Sequence, residues 1–168
     1  MILFRGIVYR FSVKYTVIVE RESVDVNDQG LKKWIAQNSP PANITYPDKI
    51  IDLALKLTSK RLAFTSHLAP NDPITVFKTG KANCIGYSAF FNTICNYLLN
   101  LNNLENDCYS IHLVGKMEFF GFDLHRLSQS PFFNDHDFNV IINKKTQHKT
   151  YIDPSLNDFF WISRISLK

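Results

Sequence analysis

Residues 80–95, GKANCIGYSAFFNTIC, decide how the rest of the chain is read. A short polar loop, Gly80 to Asn83, runs directly into Cys84. Beyond it Tyr87, Phe90, Phe91, Ile94, Leu98 and Leu101 recur at intervals of three and four, the spacing of one helical face. The polar run NLNNLEND at 100–107 ends that pattern. Cys84 is therefore placed at the N-terminus of an apolar helix. There the partial positive charge and unpaired N–H groups favour a thiolate, the nucleophilic form of the side chain. Cys95 falls inside the same apolar stripe and Cys108 at a loop-to-strand junction, so both read as packed thiols. Buried free cysteine is common in any core, so the position of Cys84 acquires chemical meaning only if a base can reach it.

Working upstream, Pro47 or Asp48 opens a second helix, with Ile50, Ile51, Ala54, Leu55, Leu57 and Leu62 at helical spacing. LKKWIAQN (31–38) reads as a short helix, and SPPANITYP (39–47) and SHLAPNDP (66–73) read as loops from their prolines. From Tyr9 to Glu20 apolar residues hold the odd positions and mostly polar ones the even, which predicts a half-buried strand. Downstream, CYSIHLVGKMEFFGF (108–122) reads as a strand and LHRLSQSPFFND (124–135) as an irregular aromatic stretch. HDFNVIIN and TYIDPS, joined by a turn through NKKTQHK, read as an antiparallel hairpin. Helices followed by strands imply an α+β fold, the Cys84 helix laid on an antiparallel sheet. One domain over residues 1–168 is expected, with 1–45 an N-terminal strand and linker and 46–168 the core.

The hairpin supplies a candidate base and a group to orient it. Opposed residues in an antiparallel pair share a face and their numbers sum to a constant. A two-residue turn sets His136 opposite Asp153; a four-residue turn sets Asp153 opposite Phe138, still on the face of His136; a three-residue turn separates them. That face also carries Phe138, Val140 and Ile142, so it is expected to be the side on which the Cys84 helix lies.

Composition narrows the alternatives. The 168 residues are 45% hydrophobic and 20% charged, an ordinary folded balance. The +4 charge is dispersed, with no basic stripe of the kind that tracks nucleic acid. Three cysteines cannot all pair, and their spacing fits no common zinc module. Arg5, Arg10 and Lys14 interrupt the N-terminal apolar runs before signal-peptide length, and no stretch is long enough to span a bilayer, so a cytoplasmic location is favoured. The group His125, Asp135, His136 and Asp137 reads as solvated polar side chains rather than a metal site. Phe119, Phe120, Phe122, Phe132 and Phe133 read as half-buried packing under a long connection. His67, His112 and His148 have no evident partner.

GKANCIGYSAFF resembles the cysteine motif of the transglutaminase-like superfamily, with Tyr87 and Ser88 at the aromatic and small positions. HDFNVII is similar to its histidine motif and TYIDPS to its aspartate motif, in the same order along the chain. The family often has Trp where Phe138 stands and Gly where Asn83 stands. The resemblance implies a papain-like core needing no cofactor, with Cys84 as nucleophile, His136 as base and then acid, and Asp153 holding the imidazole. It also implies acyl transfer or hydrolysis on a protein or peptide substrate, with the backbone N–H of Cys84 in the oxyanion site and Asn83 or Asn71 as possible side-chain donors. The expectation from another class is an inactive member of the fold that binds peptides without turnover.

Overall fold

In a computed structural model describing residues 3–40, 43–127 and 134–168, the polar loop before Cys84 ends at α5 (Cys84–Leu101). Asn83 caps this helix. Its side-chain oxygen accepts from the N–H groups of Ile85 and Gly86 at 3.1 and 3.3 Å, satisfying donors that a helix start leaves unpaired. α2 (Gln29–Asn38) and α3 (Pro47–Arg61) form as their sequences suggest. Asp28 caps α2 through the Leu31 N–H at 2.8 Å; α3 has Pro47 in its first turn and Lys60 and Arg61 in its last. Leu31, Ile35, Ile50, Ala54, Leu57, Phe90, Phe91 and Ile94 pack with strand residues Ile141 and Ile152 in the larger of two core clusters.

Among the described residues the fold is α+β, with six helices and a five-stranded antiparallel sheet. The sheet runs β1 (Val13–Arg21), β4 (Cys108–Phe119), β6 (His136–Asn143), β7 (Lys149–Ile152), and β5 (Phe122–Asp123) folds back onto β4. Two residues each of β2 (Ala63–Phe64) and β3 (Lys81–Ala82) pair in parallel and hold the loop before Cys84 beside the end of α3. The helix α4 (Pro73–Thr79) was not expected, although its signals are in the sequence: Asp72 caps the Thr75 N–H at 2.8 Å, Pro73 occupies the first turn, and Gly80 follows at φ 68°. The irregular stretch after β5 begins with a 3₁₀ turn, Leu124–Leu127. α6 (Pro154–Phe160) closes the regular structure.

Three expectations need correction. The strand expected from Tyr9 begins only at Val13, because residues 3–12 form α1 (Leu3–Ser12). In β1 only Val13 and Tyr15 are buried; the strand is bulged after Val17, and Val17, Ile18 and Val19 are exposed. The segment expected as an N-terminal strand and linker, 1–45, also contributes to the core through its described residues: β1 pairs with β4 along its length, and α2 buries Leu31 and Ile35. Finally, α5 does not lie on the face of Phe138, Val140 and Ile142. It packs on the opposite face, where the Asn139 amide donates to the Ser88 carbonyl at 3.1 Å and Ile141 joins the α5 cluster.

The face carrying Phe138, Val140 and Ile142 encloses the second cluster, with Val13, Tyr15, Leu113 and Ile165. The C-terminal segment closes the sheet around it. The Ile165 N–H donates to the Tyr151 carbonyl on β7, and Tyr15 on β1 exchanges backbone bonds with Ser166 and Lys168. The two sheet edges are thereby joined and β1 is brought beside the end of β7. Gly115 faces both Val17 and His136 in this sheet; a Cβ there would collide with the Thr16 backbone oxygen and lie 2.7 Å from the Phe138 ring. No helix among the described residues is long and apolar enough to cross a membrane.

Candidate active site

The turn between β6 and β7 has four residues. Asn143 N–H donates to the His148 carbonyl at 2.9 Å and Asn139 pairs with Ile152, so Asp153 comes level with Phe138, on the face of His136. His136 Nε2 and Asp153 Oδ2 are 2.7 Å apart. With Nε2 engaged by the carboxylate, Nδ1 is the nitrogen left for a thiol, and Cys84 lines the same cavity as the imidazole. Because α5 covers the other face, Cys84 reaches this cavity around the start of β6 rather than across the sheet. Two motif residues fix this arrangement. Tyr87 donates to Asp158 of α6 at 2.7 Å, and the fully buried Ser88 lets β6 approach closely enough for the Asn139 bond.

Asp153 is held at four points. Its Oδ1 accepts from the Ser155 hydroxyl at 2.8 Å and from the Leu156 N–H at 2.9 Å, making it the cap of α6. Its Oδ2 accepts from His136 and from the Tyr15 hydroxyl, the latter at 2.9 Å. Since Tyr15 spends its one proton on the carboxylate, the Tyr9 hydroxyl, 2.7 Å away, donates to Tyr15. Burial works to raise the Asp153 pKa, but the attraction and hydrogen bond of His136 and the two bonds within α6 hold it below the ordinary carboxylate range. Burial alone would lower His136; the charge and hydrogen bond of Asp153, and then the neighbouring Cys84, raise it well above its ordinary value. Burial and the Asp153 charge likewise raise Tyr15, keeping it a donor.

Cys84, His136 and Asp153 line one cavity of about 370 Å³ with Tyr9, Tyr15, Phe64, Met117, Leu156 and Phe159 among its walls. Asp135 and His125 also reach it. Its few polar groups converge in a mainly apolar and aromatic recess, the usual form of a small binding site.

Other sequence expectations resolve differently. Asn83 is a helix cap through its oxygen, and Asn71 is exposed, away from the cavity walls. Of His125, Asp135, His136 and Asp137, read as solvated, His125 and Asp137 are buried: His125 Nε2 accepts from the Met117 N–H at 2.9 Å, and Asp137 turns away from the other three to Arg21 and His112. His112, expected to have no partner, meets the fully buried Asp137 at 2.6 Å, and Arg21 Nε donates to the same oxygen at 2.6 Å. Phe119, Phe120 and Phe122 are exposed rather than packed under a connection. Phe132 and Phe133 lie outside the described residues. Sequence reading missed Tyr15, Tyr9 and Ser155; alternation along β1 does place Tyr15 inward, but which carboxylate it meets depends on the C-terminal closure. Compared with known proteins, the chain matches no family model, no curated protein and no solved structure.

Proposed function

We propose that the protein is a thiol-dependent acyl-transfer enzyme of the papain/transglutaminase-like type, acting on peptide or glutamine amides. One observation carries the reading: Cys84 and His136 line one cavity where a buried, fully bonded carboxylate holds one side of the imidazole. In this reading the Cys84 sulfur, as thiolate, attacks the substrate carbonyl carbon, and the charge on the oxygen is met by the Cys84 N–H, which the Asn83 cap does not use. The C–N bond breaks as the His136 imidazolium gives its proton to the departing amine. Water or a second amine then attacks the thioester, His136 takes the proton of the attacking group, and the sulfur leaves. Asp153 is a positioning residue, fixing the tautomer and stabilising the imidazolium. The closed antiparallel sheet with a cysteine-bearing helix against it is consistent with the family resemblance.

Alkylation with iodoacetamide at mildly acidic pH, read per cysteine by mass spectrometry, tests the reading. Burial pushes the Cys95 thiol up to about 12 and raises that of Cys108. Cys84 should react about tenfold faster or more than either, and should lose that lead in His136→Ala. Equal labelling of the three, with no amide turnover, would instead favour a peptide-binding module that retains the fold without the chemistry.

A further inference from the structure

The apolar side of α1 does not face the core. Phe4, Ile7, Val8 and Phe11 follow the i, i+3, i+4, i+7 spacing of one helical stripe, and all four are exposed, Phe4 at 71% and Phe11 at 75%. The surface continues beyond the helix. The Arg5 guanidinium lies 5.0 Å over the ring of Trp161, itself 71% exposed. The Phe11 ring contacts Phe120 at 6.1 Å, and Phe120 contacts Phe119 at 4.8 Å. A contiguous apolar surface of this kind marks an interaction site, unlike scattered single residues.

Charge selects the partner. Residues 3–19 contain Arg5, Arg10 and Lys14 and no acidic residue. Beside the β4–β5 turn, Glu118 is paired with Lys168 at 3.0 Å, and Asp123 with Lys116 at 3.5 Å and Arg126 at 3.9 Å. The face is therefore aromatic and apolar with a positive rim, the composition of a helix lying in a bilayer interface. At ten residues α1 is too short to cross a bilayer. A second copy seated on the same face would bring Arg5, Arg10 and Lys14 of two chains together, which disfavours a symmetric dimer.

We infer that α1, with Trp161 and the β4–β5 turn, docks this protein on the surface of an anionic lipid bilayer. Docking is independent of the chemistry at Cys84, although Tyr9, on the inner side of α1, lines the cavity and so links the two.

Sedimentation of the full chain with vesicles tests this, using phosphatidylcholine with and without about 30% phosphatidylserine. Binding to the anionic vesicles is expected to be about tenfold tighter or more than to the neutral ones, and to weaken with salt. Ile7→Ser combined with Phe11→Ser should weaken it about 30-fold or more without changing Tm, since both side chains are exposed. Arg10→Gln combined with Lys14→Gln should remove most of the preference for anionic vesicles. The proposal is overturned by no binding to anionic vesicles, by equal binding to neutral ones, or by binding that the Ile7/Phe11 variant retains. It is also overturned if sedimentation velocity shows a concentration-dependent dimer that this variant abolishes.

Discussion

Two histidine–aspartate pairs meet on adjacent residues of β6, and they are built alike. His136 contacts Asp153 at 2.7 Å; Asp137 contacts His112 at 2.6 Å. Both carboxylates are buried and both are held below their ordinary pKa by their hydrogen-bond partners against the cost of burial. Strand alternation sends them to opposite faces of the sheet. What differs is the third group. At Asp153 it is Tyr15, a neutral donor, and the far side of His136 opens to Cys84 and a cavity. At Asp137 it is Arg21, a permanent cation, and His112 is almost fully enclosed. A histidine–aspartate contact is thus not machinery by itself; a cysteine and a recess beside it separate the pair to which the proposed function gives chemistry from the one that braces β1, β4 and β6.

Replacing each histidine in turn gives the largest contrast. His136→Ala should lower kcat/KM for ammonia release from a glutamine-containing peptide by about 10²–10⁴-fold, the contribution of a positioned acid–base group. His112→Ala should leave kcat/KM of the folded protein unchanged and instead lower the urea midpoint. Equal losses of turnover in the two variants would erase the distinction.

The carboxylates give the next contrast. Asp137→Ala leaves the buried His112 without its partner, while the partly exposed Arg21 cation turns to solvent, and should cost about 1–3 kcal/mol in urea unfolding. The sign of its pH dependence follows from the lowered Asp137 pKa. The contribution of the carboxylate is present above its ordinary value of 3.8 and is lost as pH falls through the lower folded value, so wild type and variant should converge in acid. A gap that stays constant down to the acid transition would mean that Asp137 contributes by packing rather than by charge.

Much of this site was legible because it depends on local rules. Helical spacing placed Cys84 at a helix start, and strand parity put His136 and Asp153 on one face for either even-numbered turn. The missed α4 had local signals in Asp72, Pro73 and Gly80; the other failures share a cause, which is information carried by distant parts of the chain. Residues 9–11 satisfy two patterns at once: Tyr9 and Phe11 extend the alternation of the strand, while Phe11 also completes the helical stripe of Phe4, Ile7 and Val8. The core that usually arbitrates is absent on that side, where the apolar stripe faces outward. The side chosen for α5 was wrong because apolarity does not decide it: Phe138, Val140 and Ile142 fill the cluster closed by the C-terminal segment, while α5 packs on the face of Asp137, Asn139 and Ile141, whose polar groups find partners. Arg21, His112 and Asp137 sit on three different strands, and their meeting depends on a register that includes the bulge after Val17.

Tyr15 offers the smallest effect and the finest discrimination. Tyr15→Phe keeps the ring that packs against Phe138 at 5.1 Å and removes only the donor to Asp153 and the acceptor for Tyr9. A hydrogen bond to a charged acceptor contributes about 1.5–3 kcal/mol, so a loss near the lower end is expected, because Asp153 keeps His136, Ser155 and Leu156. The pH profile identifies the group affected. The Asp153 contribution is present above 3.8 and lost as pH falls through its lowered value; with one donor fewer that value moves back toward 3.8, so acid destabilisation should begin at higher pH. The His136 contribution has the opposite sign, full below 6.5 and lost as pH rises through its raised value, and that limb should move down as the carboxylate becomes less firmly held. A stability window that narrows from both sides would mark Tyr15 as a positioning residue for the His136–Asp153 pair. A uniform loss across pH would reduce it to packing, and kcat would then be unchanged.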